Sequence, residues 1–476
     1  MIRTCRELGL ATVAVHSDAD RTAPHVRLAD EAYAIGTAAA RDSYLRIDRI
    51  LEVAKRARAD AVHPGYGFLS ENADFAQAVA DAGIAFVGPP ASVQRALGEK
   101  TAARRLATSL GVPVAEGTME PVTDERDARV AADRVGYPVL LKPAGGGGGK
   151  GMRVVRSAAE LAAAWRGATG EALGAFGTAG ILVERYLEGA RHVEVQLIAD
   201  RHGSVVALGE RDCSIQRRHQ KLVEETPGPS VDGTLRARLF DAATKIARAA
   251  RYESAGTAEF LVGRDGRVAF LEVNTRLQVE HPVTEMVTGA DLVALQLLVA
   301  AGGRLPFAQA DVRPRGAAIE CRITAEDAYA GFVPQAGRVT ILREPSGPGV
   351  RVDGALEPGS VVPSEYDPLL AKIVAWGATR GEAVARARRA IRETTIGGIP
   401  TTQPFHLHVL GEPDFVAGRY DTSYVATHWP PPEPALQGSA LAAAALVATL
   451  ARRAAPAPRV DDDGAWSRAA REEALR

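Results

Sequence analysis

Residues 272 to 280 read Glu-Val-Asn-Thr-Arg-Leu-Gln-Val-Glu. Polar groups at Glu272, Asn274, Arg276, Gln278 and Glu280 alternate with Val273, Thr275, Leu277 and Val279. A period of two is that of a β-strand, whose successive side chains leave on opposite faces. The alternation gathers carboxylates, amides and a guanidinium into one row. A half-solvated edge strand would give the same spacing. A stretch of this length, fully extended, spans roughly 27–30 Å, longer than one site, so the row is expected to bend into a loop partway. His281-Pro282 follows, and proline biases its predecessor toward an extended or turn shape. Hard oxygen ligands that run into Arg and Glu point to a metal and phosphate site.

The 476 residues allow two to four domains, and 46% hydrophobic content is enough for real cores. With 57 basic against 58 acidic residues, the chain lacks the basic footprint of a nucleic-acid or membrane-surface protein. Cys5, Cys213 and Cys321 are odd in number and far apart, which suits a reducing compartment and excludes a cysteine-rich zinc site. The first residues lack the apolar core of a signal peptide. The best apolar run, Ala440–Ala451, is too short and alanine-rich to span a bilayer. A cytoplasmic protein is the expectation.

Short apolar strands alternate with amphipathic helices in the first third: Thr12–His16, Tyr44–Ala57, Ala61–His63, Phe75–Ala82, Ile84–Val87. That order implies a parallel sheet with helices on its faces. Loops at the carboxyl ends of such strands bind ligands, and His63-Pro64-Gly65-Tyr66-Gly67-Phe68 sits at one. The chain opens on a helix, Ile2–Leu8, where this fold should open on a strand, so a gap or uncovered sheet edge is expected there. Further on, Lys100–Leu110, Thr234–Ala250 and Asp291–Ala301 read as helices, and Val139–Lys142, Leu182–Glu184 and Val193–Ile198 as strands. Val205–Leu208 and Gly256–Val262 are expected to pair with Val268–Val273, and Asp265-Gly266 suits a hairpin turn. Short strands and one helix, Arg380–Arg392, follow Gly316. Pro430-Pro431-Pro432 marks a linker.

The run Gly145–Gly149 precedes Lys150-Gly151. Gly151 stands where a P-loop requires Ser or Thr, so that motif fails. A glycine run can still close over phosphate through its N–H groups, and Lys142 just before it favours that role over a plain linker. Glu259 and Glu272 lie on adjacent candidate strands. If the two strands pair, both carboxylates point the same way and need a cation between them. Oxygen-only ligands suit Mg²⁺ at nucleotide phosphates. Arg217-Arg218-His219-Gln220-Lys221 is a basic run, read as an anion-binding loop rather than a nucleic-acid patch.

In this order the elements resemble the ATP-grasp enzymes, specifically biotin carboxylase, from about Arg3 to Tyr424. The resemblance rests on His63–Asn72, Gly145–Met152, Glu210–Glu225, Glu272–Glu285 and Glu320–Asp327. It implies an α/β and α+β architecture. Residues 1–95 would be a Rossmann-like pre-ATP-grasp parallel-sheet domain truncated at its start. Residues 96–305 would be an ATP-grasp domain with a mobile Gly-rich lid subdomain at about 115–187. Residues 312–425 would be a β-rich C-terminal domain, and 426–476 a linker and tail. The implied reaction makes carboxybiotin from ATP, bicarbonate and biotin on a carrier. Lys100, Lys142, Gly148, Gly149, Glu184, Leu187, His192 and His219 would contact ATP. Glu259, Glu272 and Asn274 would hold two Mg²⁺ or Mn²⁺ ions. Lys221, Arg276, Gln278 and Val279 would form the bicarbonate pocket. Glu280 would be the general base, Arg322 would steady the biotin enolate, and Tyr66 would lie toward biotin.

No Met-Lys pair of the kind that carries biotin occurs in the sequence, so a separate carrier domain or protein is implied. A carboxyltransferase subunit of an acyl-CoA carboxylase and a homodimer are implied too. Lys150 replaces a more usual Arg in the lid. Two alternatives stand beside this reading: another ATP-grasp ligase of the carbamoyl-phosphate synthetase kind, and a truncated, non-catalytic scaffold subunit.

Overall fold

The computed structural model describes residues 1–144, 151–176 and 180–431. Met1–Trp429 forms one compact unit and Pro430–Arg476 a second, of which only the first two prolines are described. The tail is therefore outside the description, as are Gly145–Lys150 of the glycine run.

At the N-terminus, strand Val13–Ser17 pairs in parallel with Glu31–Gly36, and Ala61–Val62 pairs in parallel with Ala85–Phe86. These are two separate two-stranded sheets. The parallel order is as expected, and so is the interruption. Helix Ala73–Asp81 starts where Asn72 Oδ1 accepts the Phe75 N–H at 2.8 Å, an N-cap bond that satisfies one orphan donor. Its Phe75 and Val79 pack with Ala54, Leu69 and Ile84 into a small core.

The centre is an eight-stranded sheet. Across it run Val268–Asn274, Ser254–Val262, Arg191–Ala199, Val205–Arg217, Gln220–Thr226, Ala317–Thr324, Leu369–Gly377 and Val350–Gly354. All seven junctions are antiparallel. The expected pairing of Ser254–Val262 with Val268–Asn274 holds. Val205–Leu208 instead pairs with Arg191–Ala199, where Val205, Val206 and Ala207 stand opposite Ala199, Ile198 and Leu197. Two strands, Ser254–Val262 and Arg191–Ala199, lie between it and Val268–Asn274. Helix Gly233–Ala249 covers one face through Leu239, Ala243 and Ile246, which bury against Val195, Leu197 and Phe260. A buried side chain of this size contributes roughly 1.5–3 kcal/mol.

A second, three-stranded sheet (Arg153–Val155, Val139–Pro143, Ile181–Arg185) packs on helices Glu125–Val135 and Leu161–Phe176. Sequence reading missed both helices because their apolar stripes are mostly alanine. Among the described residues after Gly316 there are four helices rather than one: Arg380–Glu393 and the short Gln403–Val409, Pro413–Val416 and Tyr424–His428. The short ones are held by tertiary packing around Phe405, Phe415 and Trp429, not by their own periodicity.

The alternating row of the sequence bends as expected. Its strand ends at Asn274, and residues 275–280 form a loop. Pro282 does not make a turn. It takes the first turn of helix His281–Thr288, where its missing N–H costs nothing. Gly289 ends that helix at φ 76°, a left-handed conformation that favours glycine.

Candidate active site

Backbone register decides which side chains meet. Glu259 stands directly opposite Glu272, and on the other side opposite Glu194. Glu224 stands opposite Glu320, two residues from Arg322 on the same face. One sheet face thus carries Glu259, Glu194, Lys221, Glu224 and Arg322, and the 275–280 loop folds back over it.

Lys221 is the hub. Its Nζ donates to Glu194 Oε2 at 2.5 Å, Glu280 Oε1 at 2.6 Å and Glu259 Oε1 at 2.9 Å. Burial would discharge it, but the three carboxylates overrule burial and hold its pKa well above the ordinary lysine value. Glu280 is 2% exposed. Burial would raise its pKa, yet Lys221, Arg322 and Arg211 keep it well below the usual carboxylate range. Its second oxygen accepts from Arg322 Nη2 at 2.8 Å, and Arg322 Nε donates to Glu224 Oε1 at 2.5 Å. Burial pushes Glu224 up to about 7, against the pull of Arg322.

The bent loop converges on the same point. Asn274 Nδ2 and Gln278 Nε2 donate to Glu259 Oε1 at 2.7 and 2.8 Å. Arg276 Nη2 donates to Asn274 Oδ1 at 3.1 Å, and its Nε to Glu71 Oε2 at 3.0 Å. Glu71 belongs to the His63–Asn72 loop, which therefore docks on the site. Tyr66 stands exposed on that loop. Arg276 thus reaches Glu259 through Asn274, and Glu280 reaches it through Lys221.

At the other end, Lys100 Nζ lies 3.7 Å from Glu272 Oε2. Lys142 Nζ lies 4.0 Å from Glu184 Oε2. His192 Nε2 lies 2.9 Å from Glu259 Oε2. Burial and the neighbouring His192, Lys142 and Lys100 lower the pKa of His219. These four cationic or basic groups therefore line one space. Gly148 and Gly149 lie outside the described residues.

Several expectations need correction. The basic run is part of a β-hairpin rather than an open loop. Arg218 and His219 form the tight turn of a β-hairpin, at φ 49° and 66°, and Lys221 points into carboxylates. Arg217 turns away to the Gly331 carbonyl and the Phe332 ring. Arg104 Nη1 holds the Glu184 carboxylate in a buried ion pair. Leu187 does border an open cleft of about 520 Å³ with Pro138, Tyr186 and Arg264. The Val279 carbonyl is taken by Lys372 Nζ at 2.8 Å, which leaves only its N–H for an anion.

Sequence reading overlooked Glu194, Arg211 and Glu224. The signal was there. Arg191-His192-Val193-Glu194-Val195-Gln196 has the same period-two alternation as 272–280.

A hard divalent cation fits this site. Glu259 and Glu272 oppose each other as like charges across a strand pair, an arrangement that requires a cation between or beside them. Lys100 provides one positive charge there at 3.7 Å. Asn274 adds an amide oxygen, and oxygen-only donors suit Mg²⁺ or Mn²⁺. His192, Glu194 and Glu259 also bring ligand atoms within 4.8 Å of one another. Arg211 and Lys221 donate to the two carboxylates of that group.

Family models match three consecutive spans. These are the biotin carboxylase N-terminal domain (1–93), the ATP binding domain of the carbamoyl-phosphate synthase L chain (99–308) and the biotin carboxylase C-terminal domain (320–427). Biotin carboxylase 1 of Bacillus subtilis (strain 168) is 48% identical over 429 residues, which cover 90% of this chain and 95% of that one. The biotin-dependent acyl-coenzyme A carboxylase alpha3 subunit of Mycobacterium leprae is also 48% identical over 429 residues, 90% of this chain and 71% of that one. The biotin carboxylase–β-γ-ATP complex from Campylobacter jejuni superposes with a TM-score of 0.87 at 43% identity, covering 90% and 95% of the two chains. The biotin carboxylase domain dimer of Hydrogenobacter thermophilus 2-oxoglutarate carboxylase was solved with MgADP, ADP and bicarbonate. It gives a TM-score of 0.87 at 43% identity, covering 90% and 94%. With three domain matches in register and nearly half of the residues shared, this chain belongs to the biotin carboxylase family of ATP-dependent ligases.

Proposed function

We propose that the chain carries out the first half-reaction of a biotin-dependent carboxylase: ATP- and bicarbonate-dependent carboxylation of biotin held on a carrier. One observation carries this reading. Glu280 is clasped between Lys221 and Arg322, and Lys221 also touches Glu259, so one ammonium links the nucleotide end of the cleft to the far end. We read domain borders near residue 95 and between 305 and 312, in keeping with the three matched spans.

Bicarbonate is a weak anionic nucleophile that must approach an anionic γ-phosphate. Lys100 and Lys142 screen that repulsion from the nucleotide side. A divalent cation held by Glu259, Glu272 and Asn274 would add charge neutralisation at the phosphates. Arg276 offers a planar fork for bicarbonate, with Lys221, Gln278 and the Val279 N–H around it. An anion seated there competes for the Lys221 donors and adds like charge. Both effects raise Glu280 from its depressed state toward one that accepts the bicarbonate proton. Attack on the γ-phosphate gives carboxyphosphate and ADP. Its breakdown gives CO₂ and phosphate, and the phosphate takes the ureido proton of biotin. Arg322 then steadies the resulting oxyanion, which attacks CO₂. Tyr66, exposed on the docked His63–Asn72 loop, would face the biotin side in this reading.

Another ATP-grasp ligase is disfavoured by the Glu224–Arg322–Glu280 arrangement, which has no task in a reaction without an enolate. A non-catalytic scaffold is disfavoured by the complete set of described site residues. A biotin carrier, a carboxyltransferase and a second copy of this chain are the proposed partners. Among the described residues no single helix is long and apolar enough to cross a membrane.

The test is fixation of labelled bicarbonate into free biotin by the wild-type chain, Glu280→Gln and Arg322→Ala, with ATP cleavage followed in parallel. Label transfer that needs ATP and collapses in both variants is expected. Equal rates in all three would overturn the assignment.

A further inference from the structure

Arg211 is completely buried, and of the groups assigned to bicarbonate it touches Gln278 directly and Lys221 only through Glu194. It sits on the strand Val205–Arg217 and uses every N–H it has. Nε donates to Glu194 Oε1 at 2.6 Å. Nη1 donates to Gln196 Oε1 at 2.6 Å and Thr284 Oγ1 at 2.9 Å. Nη2 donates to Gln278 Oε1 at 2.7 Å and Thr257 Oγ1 at 3.2 Å. A guanidinium has five N–H donors in a fixed plane, and here all five are satisfied by parts of the fold far apart in sequence. Lysine, with three donors on a point charge, cannot reproduce that fork.

Two consequences follow for the cleft. Gln278 has its amide oxygen against a guanidinium and its amide nitrogen 2.8 Å from the Glu259 carboxylate. Charge on both sides thus fixes which end is oxygen and which is nitrogen, so the N–H₂ end faces Glu259. That nitrogen carries two hydrogens, and Glu259 uses one. Glu194, for its part, spends Oε1 on Arg211 and Oε2 on Lys221. With Arg211 gone, Glu194 would be neutralised by Lys221 alone, and the ammonium would be drawn from Glu280 toward Glu194.

We propose that Arg211 is the positioning residue of the bicarbonate pocket: it locks the Gln278 amide and, through Glu194, holds Lys221 in place against Glu280. It does not contact the reacting atoms. The inference rests on the pocket assigned above and adds a residue outside it. Its effect is selective. Lys100, Lys142 and His219 make no contact with Arg211 among the described residues, so the nucleotide end should not depend on it.

The experiment compares wild type with Arg211→Lys and Arg211→Gln. It measures KM for bicarbonate and kcat in bicarbonate-dependent ATP cleavage, and Mg-ATP affinity by calorimetry without turnover. Circular dichroism and a melt establish folding. Arg211→Lys should raise the bicarbonate KM about tenfold or more, and Arg211→Gln further, with Mg-ATP affinity within about threefold of wild type. A folded Arg211→Lys with the wild-type bicarbonate KM would overturn the proposal. So would equal losses in bicarbonate KM and Mg-ATP affinity, which mark a general structural role. If neither arginine variant folds, Thr257→Val decides, because it removes only the neighbour of the nitrogen that holds Gln278. A rise of about threefold in bicarbonate KM supports the assignment, and no rise refutes it. Wild type lacking any bicarbonate dependence would instead sink the pocket itself, a result separable from failure of the Arg211 variants alone.

Discussion

Arg322 and Glu280 meet across two separate parts of the chain, Nη2 to Oε2 at 2.8 Å, and Glu280 gives its other oxygen to Lys221 at 2.6 Å. The general base and the enolate-steadying group of the proposed reaction are therefore one hydrogen-bonded unit. Glu280→Gln keeps the shape and removes the base. Bicarbonate-dependent ATP cleavage should fall about 10²–10⁴-fold, with Mg-ATP affinity nearly unchanged. Steady-state kinetics and calorimetry on the same variant would check both halves of that statement.

Arg322→Met should split the two stages. It removes the charge that would face the biotin oxyanion but leaves Lys221, Arg276 and Gln278 in place. Biotin carboxylation is expected to drop at least about 10²-fold, and ATP cleavage without biotin less than about tenfold. A parallel fall in both would place Arg322 in the bicarbonate step instead.

Glu272 has a cross-strand carboxylate partner and a lysine 3.7 Å away, with no contact that organises the core. Glu272→Gln should therefore fold normally and require about tenfold more Mg²⁺ for half-maximal activity. A magnesium titration at saturating ATP would read this directly, and an unchanged requirement would remove Glu272 from the metal site.

Glu184 predicts a stability effect rather than a binding one. Arg104 is 3% exposed and holds Glu184 in a buried ion pair. Glu184→Ala leaves that guanidinium without its carboxylate and should destabilise by about 3–5 kcal/mol. Urea denaturation of the variant, with and without Mg-ATP, separates this loss from any weakened nucleotide contact.

His406 supplies a pH dependence. Its Nε2 is 2.7 Å from the Arg322 carbonyl, and its Nδ1 is buried without a partner. Burial lowers its pKa to about 4, against the hydrogen bond to Arg322. The folded chain thus prefers neutral imidazole, whereas the unfolded chain titrates near 6.5. The contribution is complete above about pH 6.5 and is lost as pH falls toward 4, by roughly 2–3 kcal/mol at most. His406→Gln should show a flatter loss of urea midpoint between pH 7.5 and 4.5 than wild type.

Much of the fold could be read from pattern because these segments are locally consistent. The period-two rows at 272–280 and the Asp265-Gly266 turn fixed the hairpin that sets Glu259 against Glu272. The parallel order of the first third and the bend after Asn274 were equally legible. What escaped was long-range. No local signal tells that Arg104 will reach Glu184, that Lys372 will take the Val279 carbonyl, or that Lys221 will find three acids rather than an anion. Those partners are brought together by strand order across the sheet, which pattern alone left one junction wrong. Alanine-rich helices were missed for a simpler reason: alanine carries too little apolar contrast to mark a face.

The antiparallel junction between Gln220–Thr226 and Ala317–Thr324 runs one hydrogen-bonded plate from the Glu259–Glu272 carboxylates to Arg322. In the proposed reaction the two stations would share that one floor, so the short-lived product of the first step would travel along it without leaving the sheet.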